Sequence, residues 1–372
     1  MVNNIRPLGV AIAGLGFGES VHLPALRDCE ATEPVALWHP RKERLDRACL
    51  AANLPGRSDF QELLDHPGVE AVVIATPPAP RYDLARQALL AGKHLLLEKP
   101  VALEASQIEE LQRLAIQRNL CVAVDFEYRA VPLFQQLAAL LESGVLGDLW
   151  LVKLDWLMAS RADPRRPWSW YSQASAGGGV LGALGTHAFD MLQWLVGPGD
   201  LRAARLSTAI AERPLPALQA GAGVVGVPAA VDAEDIALLQ LDLRDRRGRT
   251  VPAQVNLASV TRAGRGCWLE LYGEQATLVL GSANQTDYVH GFQLWMARPG
   301  EPLRPVASDP DLAFARTWED GRIAPVRRLI GWWASAALEG RPMVPGLSEA
   351  VTSQRICDAA RQMGTVPGGA GA

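Results

Sequence analysis

Two side chains have the type and setting to do chemistry. Lys99 belongs to Glu98-Lys99-Pro100, directly after the apolar run Leu95-Leu96-Leu97. That run reads as a strand buried in a parallel sheet. A charged group at the carboxyl end of such a strand sits where open α/β sheets bind ligands, so Lys99 and Glu98 border a nucleotide crevice. A solvated lysine at a strand end is the competing reading. His187 starts an amphipathic helix, Gly185-Thr186-His187 through Leu195, after a glycine-rich entry. A histidine that titrates near neutral pH suits proton exchange with a hydroxyl, and a lysine ammonium can hold a developing alkoxide. Asp190, three residues on, shares the helical face and could orient His187. A lone histidine at a helix start is also a common structural residue.

The elements that must carry these residues are legible upstream. The apolar strand Leu8 to Ala13 runs into Gly14-Leu15-Gly16-Phe17-Gly18-Glu19, and a helical pattern follows to about Arg27. Strand, glycine turn and helix are the context of a dinucleotide fingerprint. Gly14 permits the tight turn, and Gly16 lets the backbone approach a pyrophosphate on the helix N-terminus. The third glycine of G-x-G-x-x-G falls on Glu19, with Gly18 one place early. Further strands are expected at Pro34–Trp38, Ala71–Ala75, His94–Leu97 and Cys121–Val124. Helices are expected at Arg41–Ala52, Asp59–Asp65, Ala79–Ala91 and Glu104–Arg118. This alternation predicts an α/β fold with a doubly wound parallel sheet.

Cofactor choice is read at the end of the second strand, Leu37-Trp38-His39-Pro40-Arg41-Lys42. An NAD site usually places a carboxylate there to hold the ribose 2′-hydroxyl. Here His39, Arg41 and Lys42 stand instead, and the cations would attract a 2′-phosphate, so NADP(H) is expected over NAD(H). A solvated first helical turn is the other reading of Arg41 and Lys42. Thr76 and Pro77, ending the third strand, line the same crevice.

At 372 residues the chain exceeds one ordinary core, so two domains are expected. The net charge of −4 gives no basic footprint for nucleic acid. No apolar run approaches the ~20 residues that span a bilayer. The N-terminal residues show no signal-peptide pattern. The five cysteines are scattered, which fits reduced thiols in a cytoplasm and no metal site. Ten of the eleven tryptophans lie at or beyond residue 150. Trp168 and Arg161, near Arg165, Arg166, Trp170 and Tyr171, suit a substrate-facing loop or an anchored one. The stretch Arg213–Ala230 reads as a long excursion, and the tail from Val366 as frayed. Later strands are expected at Ile236–Leu243, Val251–Val260, Cys267–Tyr272 and Leu278–Leu280. Helices are expected at Pro325–Leu338 and Ser348–Gln362.

Taken together, the motifs resemble the glucose–fructose oxidoreductase / inositol dehydrogenase (Gfo/Idh/MocA) family. The matching residues are Gly14-Leu15-Gly16 with His22, Pro24 and Ala25, then Ala75-Thr76-Pro77, Ala91-Gly92-Lys93-His94 and Glu98-Lys99-Pro100. Arg129 with Pro132, and Gly177-Gly178-Gly179 through Gly185-Thr186-His187 and Asp190, continue the series. The resemblance implies a Rossmann domain over 1–128. It implies a C-terminal α/β domain over 129–372 with a large, mostly antiparallel open sheet, its last helix packing back on the first domain. It implies an NAD(P)-dependent dehydrogenase acting on CH–OH groups of sugar-like or polyol-like substrates, and a homodimer or homotetramer formed through the sheet. It places Lys99 beside the nicotinamide and gives His187 the proton transfer.

Two positions depart from the family pattern. The aspartate usual four residues before the histidine is Ala183, so either another acid substitutes, with Glu127, Asp125 and Asp190 the first choices, or the substrate differs from an inositol, or turnover is weak; a salt bridge with Arg129 also accounts for Glu127. The histidine of the family's T-P-x-x-x-H loop is Arg81, which implies an altered pocket or a different helix start. The alternatives to an oxidoreductase are a dinucleotide-binding sensor and an NAD-dependent glycosidase.

Overall fold

The computed structural model describes residues 6–216, 226–284 and 291–364. The chain divides into two compact units, Met1–Val131 with Phe314–Val351, and Pro132–Ala313 with Thr352–Ala372.

The first unit opens with β1 (Leu8–Ala13), a π-helical turn (Gly18–His22) and α1 (Leu23–Asp28). There follow β2 (Thr32–Trp38), α2 (Lys42–Ala52), β3 (Gly56–Arg57), α3 (Phe60–Leu64), β4 (Ala71–Ile74), α4 (Pro78–Leu90), β5 (His94–Leu97), α5 (Ala105–Gln117) and β6 (Val122–Val124). The strands form one sheet in the order β3-β2-β1-β4-β5-β6, with every pair parallel. Apolar residues on both sides of each strand let helices cover both faces. Val10, Ile12, Val73 and Leu96 enter one apolar layer, whereas Ala11, Ala13, Val72, Ile74, Leu95 and Leu97 enter the other. The two-residue β3 is too short to show in sequence periodicity.

The second unit contains α6 (Pro132–Glu142), β7 (Leu149–Leu157), α7 (Thr186–Leu195), β8 (Gly199–Ser207), β9 (Glu212–Pro214) and β10 (Pro228–Ala230). Strands β11 (Ile236–Arg244), β12 (Thr250–Ala258), β13 (Gly266–Gly273), β14 (Thr277–Ser282), β15 (Gln293–Ala297) and β16 (Arg304–Pro305) complete it. Eight of them form a sheet in the order β16-β15-β14-β13-β7-β12-β11-β8. All its pairs are antiparallel except β7 with β12. Along β11, Ala237, Leu239, Leu241 and Leu243 are buried while Leu238 and Gln240 are exposed, the period-2 pattern of a half-covered sheet. The excursion expected over Arg213–Ala230 begins and ends in a short antiparallel ladder of β9 with β10. Residues 217–225, the N-terminal 1–5 and the tail from 365 lie outside the described residues.

Two helices end the chain, α8 (Ile323–Leu338) and α9 (Leu347–Gly364). The expected single boundary after residue 128 does not describe the contacts. The division falls after Val131, and residues 314–351 return to the first unit. The reason is the apolar face of α8, where Val326, Leu329, Ile330 and Trp333 are buried in one layer with Val10, Ile12, Leu23 and Leu26. It is α8, not the last helix, that supplies most of this return; α9 contributes Leu347, Ala350 and Val351 to the opposite layer.

Candidate functional site

In the first unit the candidate residues gather at the carboxyl ends of β1, β2, β4, β5 and β6. Gly14 adopts φ +104°, and a Cβ there would stand 2.7 Å from the Ala75 carbonyl carbon and 2.9 Å from the Thr76 nitrogen. Only glycine makes that turn. At Gly16 nothing lies within 4 Å of a built Cβ, so the backbone is open to an approaching group. A Cβ on Gly18 would stand 2.9 Å from Ile12 Cγ2, so Gly18 lets the turn pack tightly on β1. The glycine that looked one place early thus does the packing work of the third glycine. It does so at the head of a π-helical turn, whose wider loop takes an extra residue. The Arg44 guanidinium donates to the Leu15 carbonyl at 2.5 Å and braces the turn.

At the end of β2, His39 is buried, and its Nδ1 accepts from the Arg41 amide at 3.0 Å. Burial lowers the His39 pKa, and the Arg44 and Arg41 charges add to that effect, so it is neutral at pH 7. Lys42 and Arg41 are both exposed, and Lys42 pairs with Asp46 one helical turn on, at 3.0 Å. Pro77 is exposed at the start of α4 and Thr76 is buried. The Thr76 hydroxyl oxygen has no hydrogen-bond partner among the described residues. An open glycine backbone and an orphaned hydroxyl on one sheet edge fit a dinucleotide.

Arg81 turns onto the backbone of its own loops. Its buried guanidinium donates to the backbone oxygens of Thr76, Pro100 and, at 2.6 Å, Glu98. Burial lowers its pKa to about 10 against the raising effect of Glu98, so it stays charged at neutral pH. Arg81 straps the β4 and β5 loop ends together from beneath. Its place four residues after Pro77 offered no sequence signal for this, because the acceptors are carbonyls.

Lys99 is half-buried directly after the buried Glu98, whose amide still donates to Ile74 O at 3.1 Å. Glu98 Oε1 lies 3.0 Å from His22 Nε2, and Asp125 Oδ2 lies 3.5 Å from the same nitrogen. Burial pushes Glu98 up, but the hydrogen bond and charge of His22, with Lys99 and Arg81, outweigh it and hold the carboxyl below its ordinary value. Asp125 is driven well above the usual carboxylate range by burial and by the charges of Glu98 and Glu127. The sequence offered His22 only within the glycine-turn motif and Asp125 only as an acid that could replace the usual aspartate; their meeting needs the π-helical turn to lie beside β5 and β6.

Glu127 lies in a 3-10 turn, Glu127–Ala130, and is buried. Burial raises its carboxyl to about 7; Lys99 opposes this, Glu98 adds to it and Arg322 opposes it. The folded chain therefore holds this proton more tightly than the unfolded chain does. Its stabilising contribution is full below about pH 4.5 and is lost as pH rises toward 7. Glu127→Gln should remove that loss and gain about 3 kcal/mol over wild type between about pH 4 and 8 in denaturant unfolding. Identical pH slopes for the two proteins would refute the assignment.

His187 belongs to the second unit, on the first turn of α7. It is buried, with its ring centroid 6.2 Å from that of Trp156 on β7. Ala183 lies in a second π-helical turn, Leu181–Gly185, that leads into α7. Asp190 Oδ1 accepts from Gln193 Nε2 at 3.2 Å, and Gln193 also donates to Ser353 Oγ at 3.1 Å. Trp168 donates its indole N–H to Ala230 O at 2.9 Å and its amide to Pro214 O at 2.7 Å. It anchors its loop to the β9–β10 ladder. Arg161 stacks on Tyr171 with its guanidinium carbon 3.9 Å from the ring centroid.

Comparison with known proteins extends this description. A model of an oxidoreductase family with an NAD-binding Rossmann fold matches residues 8–126, and the model of that family's C-terminal alpha/beta domain matches residues 138–363. An uncharacterized oxidoreductase of Synechocystis, sll0816, is 44% identical over 356 residues, covering 95% of this chain and 93% of the relative. Levoglucosan dehydrogenase of Pseudarthrobacter phenanthrenivorans is 32% identical over 296 residues, 74% of each chain. A solved structure of a levoglucosan dehydrogenase in complex with NADH superposes with a TM-score of 0.82. That superposition covers 96% of this chain and 97% of the other, at 23% identity over this longer span.

Proposed function

Because the chain belongs to the Gfo/Idh/MocA family of oxidoreductases, we propose that it transfers a hydride between a nicotinamide dinucleotide and an alcohol/carbonyl pair on a sugar-like or polyol-like substrate, with Lys99 and His187 at the reacting centre. The observation that carries this reading is Lys99 at the carboxyl end of β5, on the sheet edge that also bears the open Gly16 backbone and the Thr76 hydroxyl. The dinucleotide, when bound, supplies the hydride donor or acceptor. Gly14, Gly16, Phe17 and Gly18 would receive its pyrophosphate, with Thr76, Pro77, Glu98 and Lys99 beside its nicotinamide end. The Lys99 ammonium holds the substrate oxygen as its charge changes, and the His187 imidazole takes or returns the hydroxyl proton. Levoglucosan dehydrogenase, an anhydrosugar enzyme by name, supports the carbohydrate class. A polyol and aldose panel followed by nicotinamide absorbance tests the reading; NADPH binding with no turnover on any member would count heavily against it. Ala183 favours one second reading, a dinucleotide sensor. Lys99→Ala with unchanged biological function and intact cofactor binding would favour that sensor.

The same proposal prefers NADP(H). Arg41 is exposed just after β2, in the segment Leu37–Lys42 that carries no carboxylate and would offer its guanidinium to a 2′-phosphate. Arg41→Ala should weaken NADPH by about 10–100-fold, the value of a charge-assisted hydrogen bond, and leave NADH nearly unchanged. Fluorescence titration reads both, and wild-type NADH binding as tight as NADPH would overturn the preference.

The exposed face of the eight-stranded sheet is assigned to contacts between copies of the chain. It carries Leu238, a stacked Trp268–Trp295 pair at 5.5 Å, and a polar row in which Lys153 pairs with Asp155 at 2.7 Å.

A further inference from the structure

We infer that His22, Glu98 and Asp125 share protons as one buried unit beneath Lys99, and that His22 and Asp125 act through Glu98 as positioning residues for the lysine. The inference rests on the proposed role of Lys99 and goes beyond it.

The geometry comes from three elements. The π-helical turn supplies His22, the end of β5 supplies Glu98 and the end of β6 supplies Asp125. One ligating atom from each lies within 4.8 Å of the others. Their exposures are 0%, 9% and 1%. The Asp125 amide donates to Leu97 O at 2.9 Å, which fixes the two strand ends side by side. Two carboxylates so close and so far from water cannot both be ionised without loss, so one carries a proton. His22 Nε2 favours an ionised Glu98, which leaves the neutral acid on Asp125; the raised Asp125 carboxyl agrees. His22 Nδ1 and both Asp125 oxygens are buried and lack a hydrogen bond among the described residues, so the charge of Asp125 follows from its burial and its ionisable neighbours.

The surroundings are charged on several sides. Lys99 and Arg81 act on Glu98, and Lys99 and Glu127 act on Asp125. Arg322, at the head of α8, acts on Glu127 and lies over Phe17, whose ring packs edge-to-face with that of His22 at a centroid separation of 5.2 Å. Glu98 is gripped twice, its carbonyl by Arg81 and its carboxylate by His22. The residue before Lys99 thus has neither end free to turn. A lysine launched from an immobilised neighbour keeps its direction, which is what a site that stabilises charge requires.

The test uses the full-length protein without substrate. Infrared spectra at neutral pH should show a protonated-carboxyl band that Asp125→Asn removes and Glu127→Gln leaves in place. Asp125→Asn, which keeps the shape of the neutral acid, should unfold within a few degrees of wild type, whereas His22→Gln should shift the pH midpoint of Lys99 acetylation, read by mass spectrometry, by about one unit. Absence of the band, failure of Asp125→Asn to fold, or an unmoved acetylation midpoint in folded His22→Gln would overturn the inference. So would one equivalent of divalent metal in the purified protein. Absence of turnover on every substrate, with these signals intact, would instead sink the oxidoreductase reading alone.

Discussion

Lys99→Met should lower hydride transfer by about 10²–10⁴-fold while changing NADPH affinity by less than about tenfold, the range for removing one charge-stabilising or proton-handling group. Methionine keeps the length and apolar stem of lysine and removes only the ammonium. Lys99 is half-buried, and the Glu98 carboxylate beside it keeps its hydrogen bond to His22 and the charge of Arg81, so the fold should survive. The loss should fall on kcat, because the ammonium acts where charge develops on the substrate oxygen. Lys99→Arg should not restore activity, since a planar fork does not replace a compact point charge. Single-turnover absorbance measurements read the effect. A rate within about threefold of wild type would remove Lys99 from the chemistry.

The second large effect is on stability. Arg81→Met should cost about 3–5 kcal/mol in denaturant unfolding, because it strips the donors from three loop carbonyls at once. Each orphaned buried acceptor costs about 1–3 kcal/mol, and the cooperative strap makes the losses less than additive. Arg81→Lys should recover only part, since one ammonium cannot reach three carbonyls with the geometry of a guanidinium. Where Arg81→Met stays folded, its NADPH affinity should also fall, because Thr76 and Glu98 are both released. An unfolding free energy within about 1 kcal/mol of wild type would show that the strap is idle.

Much of this site could be read from the sequence, for local reasons. A glycine turn between an apolar strand and a helix announces its own geometry, and Leu8–Ala13 and His94–Leu97 were legible because each is built on a short apolar run. The role of Gly18 was not legible, since a G-x-G-x-x-G template assumes an α-helical turn and this chain uses a π-helical one. Arg81 invited a pocket reading because a charged side chain in a cofactor loop is expected to face ligand; its partners are backbone atoms that no residue type reveals. The place of α8 was hidden most deeply. Its amphipathic pattern shows that it must cover something, but not that its partner layer lies about 300 residues earlier, at Val10 and Ile12. Trp168 was legible only as a choice between a substrate-facing and an anchored loop; its N–H bond to Ala230 shows the anchoring, which no residue type announces.

The placement of α8 has a consequence for how the protein is made. A ribosome delivers the six parallel strands within the first third of synthesis, yet the layer over Val10, Ile12, Leu23 and Leu26 lacks Leu329, Ile330 and Trp333 until the chain is almost finished. Domains released early usually fold in the order of their synthesis. Here the first unit to emerge cannot close until residues 314–351 are made, so through most of translation this apolar flank stays uncovered.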